Sequence, residues 1–299
     1  MASRGNVSII IPTAHRPEAL AECLESIQRY AAGGEIIVIG EKGDERTRRL
    51  MESFSSVRYL EVEESSTVVA RNVGIGKASH EILVFVDDDV VVGSGWLENL
   101  LRHYNDDSVA GVGGRVKSVG LESEMSSYRT GAIEDGFVIG NWNTEAAQAF
   151  EVQHLPGCNM SFRRVLVLRV GGFDDFFTPF NFREETDLCL RVRRLGYRLI
   201  FEPKASLIHK ALGRRGVGSR WIFSYVRNTL YLYLKYELKD GASMVRFFRR
   251  LIFPPKDYTV STVVRVTITP VSSIVATSGI IAGVLGYLGR RGDGHPKVS

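Results

Sequence analysis

Glu81-Ile-Leu-Val-Phe-Val-Asp-Asp-Asp-Val-Val-Val92 is an apolar, β-branched run that ends abruptly in three carboxylates, Asp87, Asp88 and Asp89. Such a run between turn signals predicts a buried strand of a parallel sheet. Ligands of an open α/β sheet bind beyond the carboxyl ends of its strands, so the three acids are expected to face a crevice. Side chains alternate along an extended chain, which predicts Asp87 and Asp89 on one side and Asp88 on the other. Aligned carboxylates suit a hard cation, Mg2+ or Mn2+, carrying a diphosphate. A polar turn that merely closes a strand has no use for three adjacent negative charges, whose mutual repulsion a cation offsets.

Upstream, strand and helix signals alternate. Val7–Ile11 is an apolar run stopped by Pro12, and Pro17–Tyr30 carries helix spacing through Leu20, Leu24 and Ile27, with Pro17 suited to a first helical position. Ile36–Ile39 and Val57–Val62 read as strands, Asp44–Phe54 and Thr67–Ala78 as helices, and Ser65 or Ser66 as the cap of the latter. The alternation predicts a parallel sheet with right-handed crossovers and helices on both faces over the first hundred residues. Downstream, Trp96–Tyr104 reads as a helix and Val109–Val119 as a Gly-interrupted strand containing Arg115. Glu122–Trp142 reads as a loop region with one short helix, and Phe150–Leu155 as a strand. Pro156–Asn159 reads as a turn, Arg163–Arg169 as a helix ending at Gly171-Gly172, and Tyr197–Glu202 as a strand with His209 beyond it. Between these lies a helix opening on Glu184, Glu185 and Asp187 and closing on arginines, a charge order that complements its dipole.

The 299 residues are 44% hydrophobic and 24% charged, ordinary for a globular protein. A net charge of +4 is too mild to argue for nucleic acid. Cys23, Cys158 and Cys189 are odd in number and widely spaced, so neither a disulfide framework nor a zinc site follows, and a reducing cytoplasm fits. The N-terminus leads straight into a strand without the apolar core of a signal peptide, so the catalytic part is expected to stay inside the cell. From Ser219 the composition turns to long helices over Arg220–Leu238, Ser243–Phe253 and Val266–Gly289. The last is long enough to span a bilayer, but Pro270, its threonines and serines and four glycines weaken it. Arg246-Phe-Phe-Arg-Arg-Leu-Ile-Phe253 joins aromatic anchors to a basic edge. Peripheral contact with the inner face of the membrane, a homodimer interface and a buried helical cap all remain open for these helices.

Four segments stand in order: Ile9-Ile-Ile-Pro-Thr-Ala-His-Arg-Pro17, Ala70-Arg-Asn-Val-Gly74, Phe85-Val-Asp-Asp-Asp89, and Gly171-Gly-Phe-Asp174 leading to Glu184-Glu-Thr-Asp-Leu188. Together they resemble glycosyltransferase family 2, the inverting nucleotide-sugar enzymes of GT-A fold. The likeness covers about residues 6 to 212. It implies a Rossmann-like, mostly parallel sheet with helices on both faces in a catalytic domain over 1–215, its nucleotide-binding half about 1–105 and its acceptor-binding half about 106–215. A helical C-terminal region over 216–299 follows. The resemblance further implies that Pro12, Thr13, Ala14 and His15 line the nucleotide pocket and that Arg71 faces the base and diphosphate. Asp87 and Asp88 would take the ribose side, with Asp87, Asp89 and His209 as the metal ligands. Glu185 would be the catalytic base, Glu184 its fallback, and Asp187 a positioning acid. Arg115, Trp142 and Asn159 are the expected substrate contacts, although a core role for Trp142 competes.

The chain departs from the family at Ala14-His15, where Tyr-Asn is common, and at Gly40-Glu41-Lys42, where an Asp usually contacts the base. Glu41 stands as the substitute. Both changes touch the nucleotide pocket, so a UDP-sugar is the default donor with GDP and dTDP as alternatives, and a glycan or lipid-linked hydroxyl is the expected acceptor. Competing readings are a haloacid dehalogenase-like phosphotransferase with Asp87 as nucleophile, a sugar-nucleotide pyrophosphorylase and a non-catalytic nucleotide-sugar-binding protein. The first wants its motif on the domain's first strand, and the second a Gly-rich loop after it. The third would have lost the acids.

Overall fold

The computed structural model describes residues 4–63, 66–119, 130–134, 137–178, 181–210, 219–236 and 270–292. Its first half follows the alternation of apolar runs: β1 (Val7–Pro12), α1 (Pro17–Tyr30), β2 (Glu35–Glu41), α2 (Glu45–Met51), β3 (Arg58–Val62), α3 (Thr67–Lys77) and β4 (Ile82–Val86). These four strands lie parallel in the order β3-β2-β1-β4. Every residue of β1 and β4 is buried, as two covered faces require of a continuous apolar run.

The aspartates are not the tail of one long strand. Asp87–Asp89 form a turn, and Val90–Val92 start a separate strand, β5, across the sheet. α4 (Trp96–Leu101), β6 (Val109–Ser118), β7 (Ala132–Glu134), β8 (Phe137–Ile139) and β9 (Phe150–Val152) follow. Then come β10 (Asn159–Arg163), α5 (Arg164–Arg169), α6 (Glu184–Arg193) and β11 (Arg198–His209). The nine-stranded sheet is completed as β4-β10-β6-β11-β5, with β9 on β11. β10 is antiparallel to both β4 and β6, so the sheet is mixed.

Three local expectations change. Asn159–Arg163, whose first residue is read as turn and whose last as helix start, is a central strand, buried on both faces from Asn159 to Phe162. Tyr197–Glu202 and the residues before His209 are one strand, irregular between Glu202 and Leu207. The span read as a loop with a short helix holds the hairpin β7-β8 among its described residues, while 120–129 lie outside them.

Contacts group the chain into two compact units, one of 1–132, 140–179 and 184–213, the other of 133–139, 180–183 and 214–299. In the second, α7 (Ser219–Tyr236) packs on α8 (Pro270–Gly292) through a cluster of Tyr225, Val226, Leu230 and Tyr233 with Ala276, Ile280 and Val284. Small residues set this approach. A Cβ on Gly283 would stand 2.9 Å from the Arg227 carbonyl oxygen. No helix among the described residues is long and apolar enough to cross a membrane. The expected helix over Ser243–Phe253 lies outside the described residues.

Candidate active site

The register of the sheet gathers the site. Asn159 pairs with Val86, so the Pro156-Gly157-Cys158 turn ahead of β10 lies beside the aspartates that follow β4. His209 pairs with Val90, which sets the end of β11 against Asp89. Thr13 leaves β1 next to β4, and its hydroxyl donates to Asp88 Oδ2 at 2.8 Å.

Arg71 is the hub. It lies on α3 with 2% of its side chain exposed, and its Nη2 donates to Asp87 Oδ1 at 3.1 Å and to the Gly157 carbonyl at 2.9 Å. Its Nη1 meets Glu184 Oε1 at 3.2 Å. The guanidinium also sits over the Phe173 ring, 5.4 Å from its centroid, and that ring meets Phe85 edge-on. Neighbouring Asn72 pins the same loop by donating to the Phe173 carbonyl and accepting from its N–H. Gly172, at φ +72°, leaves room for this, since a Cβ there would be 2.6 Å from Asn72 Oδ1. Arg71, which the resemblance implies to face the base and diphosphate, is enclosed between the two acidic groups.

The three aspartates part company. Asp87 faces Arg71 and is about one-third exposed, whereas Asp88 and Asp89 are buried and share Arg16 at 3.2 and 3.1 Å. The turn replaces strand alternation, so Asp88 and Asp89 converge on Arg16 while Asp87 and Asp89 each approach His209. Burial raises the Asp88 carboxyl to about 6, against the pull of Arg16 and Thr13. His209 Nε2 lies 3.0 Å from Asp89 Oδ1. Ligand atoms of Asp87, Cys158 and His209 all lie within 4.8 Å of one another, a convergence that fits a divalent cation.

Glu184 and Glu185 differ in environment. Glu184 is buried on Arg71, and burial with the charge of Glu185 raises its carboxyl against the opposing pull of that arginine. Glu185 is half-buried, accepts from the Thr186 hydroxyl, and runs beside Gly157, whose added Cβ would be 3.6 Å from it. Asp187, expected to position loop or acceptor, is wholly buried and takes Arg191 Nε at 2.8 Å one helical turn on. That arginine also donates to the Val170 carbonyl, so the pair fastens α6 to the end of α5.

At the ends of β1 and β2, His15 is in the left-handed region at φ +55°, with Nε2 3.1 Å from Glu41 and its backbone N–H on Asp44 Oδ2 at 2.7 Å. Pro12 is buried and Ala14 half-buried beside it. Asp44 also caps α2 by accepting from the Thr47 N–H and hydroxyl. Burial alone would raise its carboxyl, but the Thr47 and His15 donors prevail and hold it below the usual carboxylate range.

The expected substrate contacts fare differently. Asn159 is fully buried, and its amide is used by the Trp96 indole and by the carbonyls of Arg115 and Ala205, so it braces the sheet instead of touching a ligand. Arg115 is held by Asn143 and Glu145. Trp142 packs edge-on to His154 and tilted to Phe201, in the core role. Arg16, Asp44 and Cys158 were not singled out as site residues. Arg16 lies inside the first motif, and Asp44 carries the helix-start signal. Cys158 has no local signal and is found only through the register of β10.

Against this geometry, residues 8–171 match the model of glycosyl transferase family 2. The chain belongs to that family. It is 28% identical over 210 residues to the pre-mycofactocin glycosyltransferase of Mycobacterium tuberculosis, covering 69% of this chain and 43% of that protein. The chain thus spans less than half the length of that relative. It is 26% identical over 225 residues to the glucosyl-dolichyl phosphate glucuronosyltransferase of Haloferax volcanii, covering 68% of this chain and 69% of that one. Among solved structures, the mannosyltransferase PcManGT from Pyrobaculum calidifontis, in complex with GDP-Man and Mn2+, superposes with a TM-score of 0.57 at 17% identity over 96% of this chain and 88% of that one. GalNAc-T7 with UDP, GalNAc and Mn2+ gives 0.61 at 16% identity, covering 82% of this chain and 54% of that one. The family's GT-A fold, a mixed sheet with helices on both sides, is the fold of this chain.

Proposed function

We propose that this protein is a metal-dependent inverting glycosyltransferase that moves a sugar from a nucleoside-diphosphate donor to an acceptor hydroxyl. The observation that carries the proposal is the bridge through Arg71, which brings the aspartate turn and the glutamate pair into one cleft. Family membership and neighbours solved with UDP or GDP-Man and Mn2+ support it.

In this reading Thr13, His15 and Glu41 line the base side of the donor, with Asp88 at the ribose. Asp87, Asp89 and His209 would hold Mn2+ or Mg2+, which when bound supplies positive charge against the leaving diphosphate. Glu185 takes the proton of the acceptor hydroxyl as that oxygen attacks the anomeric carbon from the face opposite the diphosphate, so the configuration inverts. Its partial exposure and its place beside Gly157 favour it over Glu184, which is occupied by Arg71. Glu184 is a positioning residue that fixes Arg71, and Arg71 in turn orients Asp87.

Isothermal titration with UDP, GDP and dTDP, each with and without Mn2+, tests the donor side. One nucleotide should bind far more tightly with the metal, and binding indifferent to metal would overturn the assigned ligands. The exposed edge Ile281, Leu285 and Leu288 of α8 lies on one helical face, with arginines at 290 and 291 following. It supports peripheral contact with an anionic membrane and a lipid-linked acceptor. Deletion from Lys239 should abolish co-sedimentation with anionic vesicles, and unchanged sedimentation would leave assembly between copies as the use of this helix.

A further inference from the structure

We infer that Asp87, Cys158 and His209 form a site for a thiophilic divalent cation, Zn2+ or Cd2+, which trades Asp89 for a thiolate and excludes the hard cation by using the same histidine. The three ligands come from three places: the turn after β4, the turn before β10 and the end of β11. Their ligand atoms lie within 4.8 Å of one another. Zinc bonds of about 2.0–2.3 Å span at most about 4.6 Å between two ligand atoms, so three groups already gathered this closely share a cation after a small inward turn of their side chains. One acid, one imidazole and one thiol make a mixed set that a hard cation does not prefer and a borderline-soft one does.

The rest of the cleft separates the two ligand sets. Asp89 is 4% exposed and already holds Arg16, so its charge is partly answered. Asp87 and His209 are 32% and 15% exposed, which leaves them accessible from the cleft. Cys189 is fully buried in the core and belongs to neither set, and Cys23 is buried with its thiol on the Asp87 carbonyl. Binding is a proton exchange in which the cation forms a bond to Sγ, the S–H bond breaks, and the proton passes to solvent. No oxidant or reductant is required. The thiol-bearing ligand set stands without sugar transfer, whereas its competition with Mn2+ and the inhibition of transfer by thiophilic metals rest on that reading.

The test is titration of the full chain with Cd2+ without nucleotide, following the ultraviolet thiolate-to-cadmium charge-transfer band and the heat of binding. The expected result is a band that saturates at one equivalent. Cys158→Ser should abolish the band and weaken binding by at least about tenfold, since even indirect partners of a metal carry that much. His209→Ala should weaken it similarly, Cys189→Ser should not, and excess Mn2+ should shift the wild-type titration to higher Cd2+. Circular dichroism of each variant verifies the fold. A band that persists in Cys158→Ser, or Cd2+ affinity unmoved by His209→Ala, overturns the site, whereas Cd2+ binding unmoved by Mn2+ overturns only its overlap with the hard-cation ligands. Donor binding indifferent to Mn2+ overturns the sugar-transfer reading alone and leaves this one standing.

Discussion

Arg71 and Glu184 stand 113 positions apart in the chain, yet Nη1 and Oε1 lie 3.2 Å apart with both side chains buried. The same guanidinium reaches Asp87, so one residue fixes the distance between the metal side and the base side of the proposed site. Removing the guanidinium takes the donor from Glu184 and the Gly157 carbonyl and the counter-charge from Asp87, at a cost of about 1–3 kcal/mol for each buried group left unsatisfied. Arg71→Met should lower stability by that order in urea unfolding and abolish Mn2+-dependent nucleotide binding. Arg71→Lys should recover only part of either, because an ammonium cannot fork to both acids. A stable Arg71→Met that binds nucleotide normally would remove the bridge from the mechanism.

The same pair gives a pH signature. Glu184 is raised from 4.5 to about 8, first by burial and then by Glu185, against the pull of Arg71. Between those values the folded state binds more protons than the unfolded one, so this group makes stability fall as pH rises across the window. Thermal midpoints measured from pH 5 to 9 should decline with a component that Glu184→Gln eliminates. An identical slope in the variant would mean that Glu184 ionises freely in the fold.

Glu185 carries the chemistry in the proposed reaction, and general-base catalysis contributes about 10²–10⁴-fold. Glu185→Gln keeps the size and the hydrogen bond from Thr186 but cannot take a proton. Turnover should fall within that range while nucleotide affinity, read by calorimetry, stays at the wild-type value. Retained turnover would transfer the role to Glu184.

The parallel half of the fold was legible because β1 and β4 are unbroken apolar runs with turn signals at both ends, a pattern that burial on two faces imposes. β10 was not legible. Asn159-Met-Ser-Phe-Arg alternates polar and apolar residues as a half-exposed strand would, yet Asn159 and Ser161 are buried because each finds hydrogen-bond partners across the sheet. That also misdirected the reading of Asn159, since a polar residue in a site-like turn resembles a ligand until its partners are known. The burial of Asp187 was out of reach for a related reason: its partner Arg191 is one helical turn on, and a sequence does not say whether such a pair faces solvent or core. The aspartates stand out by type and spacing, and the glutamate pair through the resemblance. Arg71 was found too, but its enclosure depends on the long-range return of α6, which no local pattern encodes.

Asp44 offers the last test, at the end of the cleft proposed to take the nucleotide. Its buried carboxylate accepts from Thr47 N–H and Oγ and from the His15 backbone, so it both starts α2 and holds the β1 loop in its left-handed turn. Loss of a helix cap costs about 0.5–2 kcal/mol, and Asp44→Ala should lie toward the upper end because the loop loses its anchor too. The carboxyl is held below its usual value, so its stabilisation is present above the unfolded pKa of about 3.9 and is lost as pH falls through the lower folded value. Asp44→Ala and wild type should therefore differ at pH 7 and converge in strong acid. Asp44→Asn retains an acceptor for Thr47 and should keep most of the cap at both pH values. Nucleotide affinity should drop in Asp44→Ala more than in Asp44→Asn, because His15 is freed only in the first. Equal affinities in the two variants would detach the His15 loop from the base pocket.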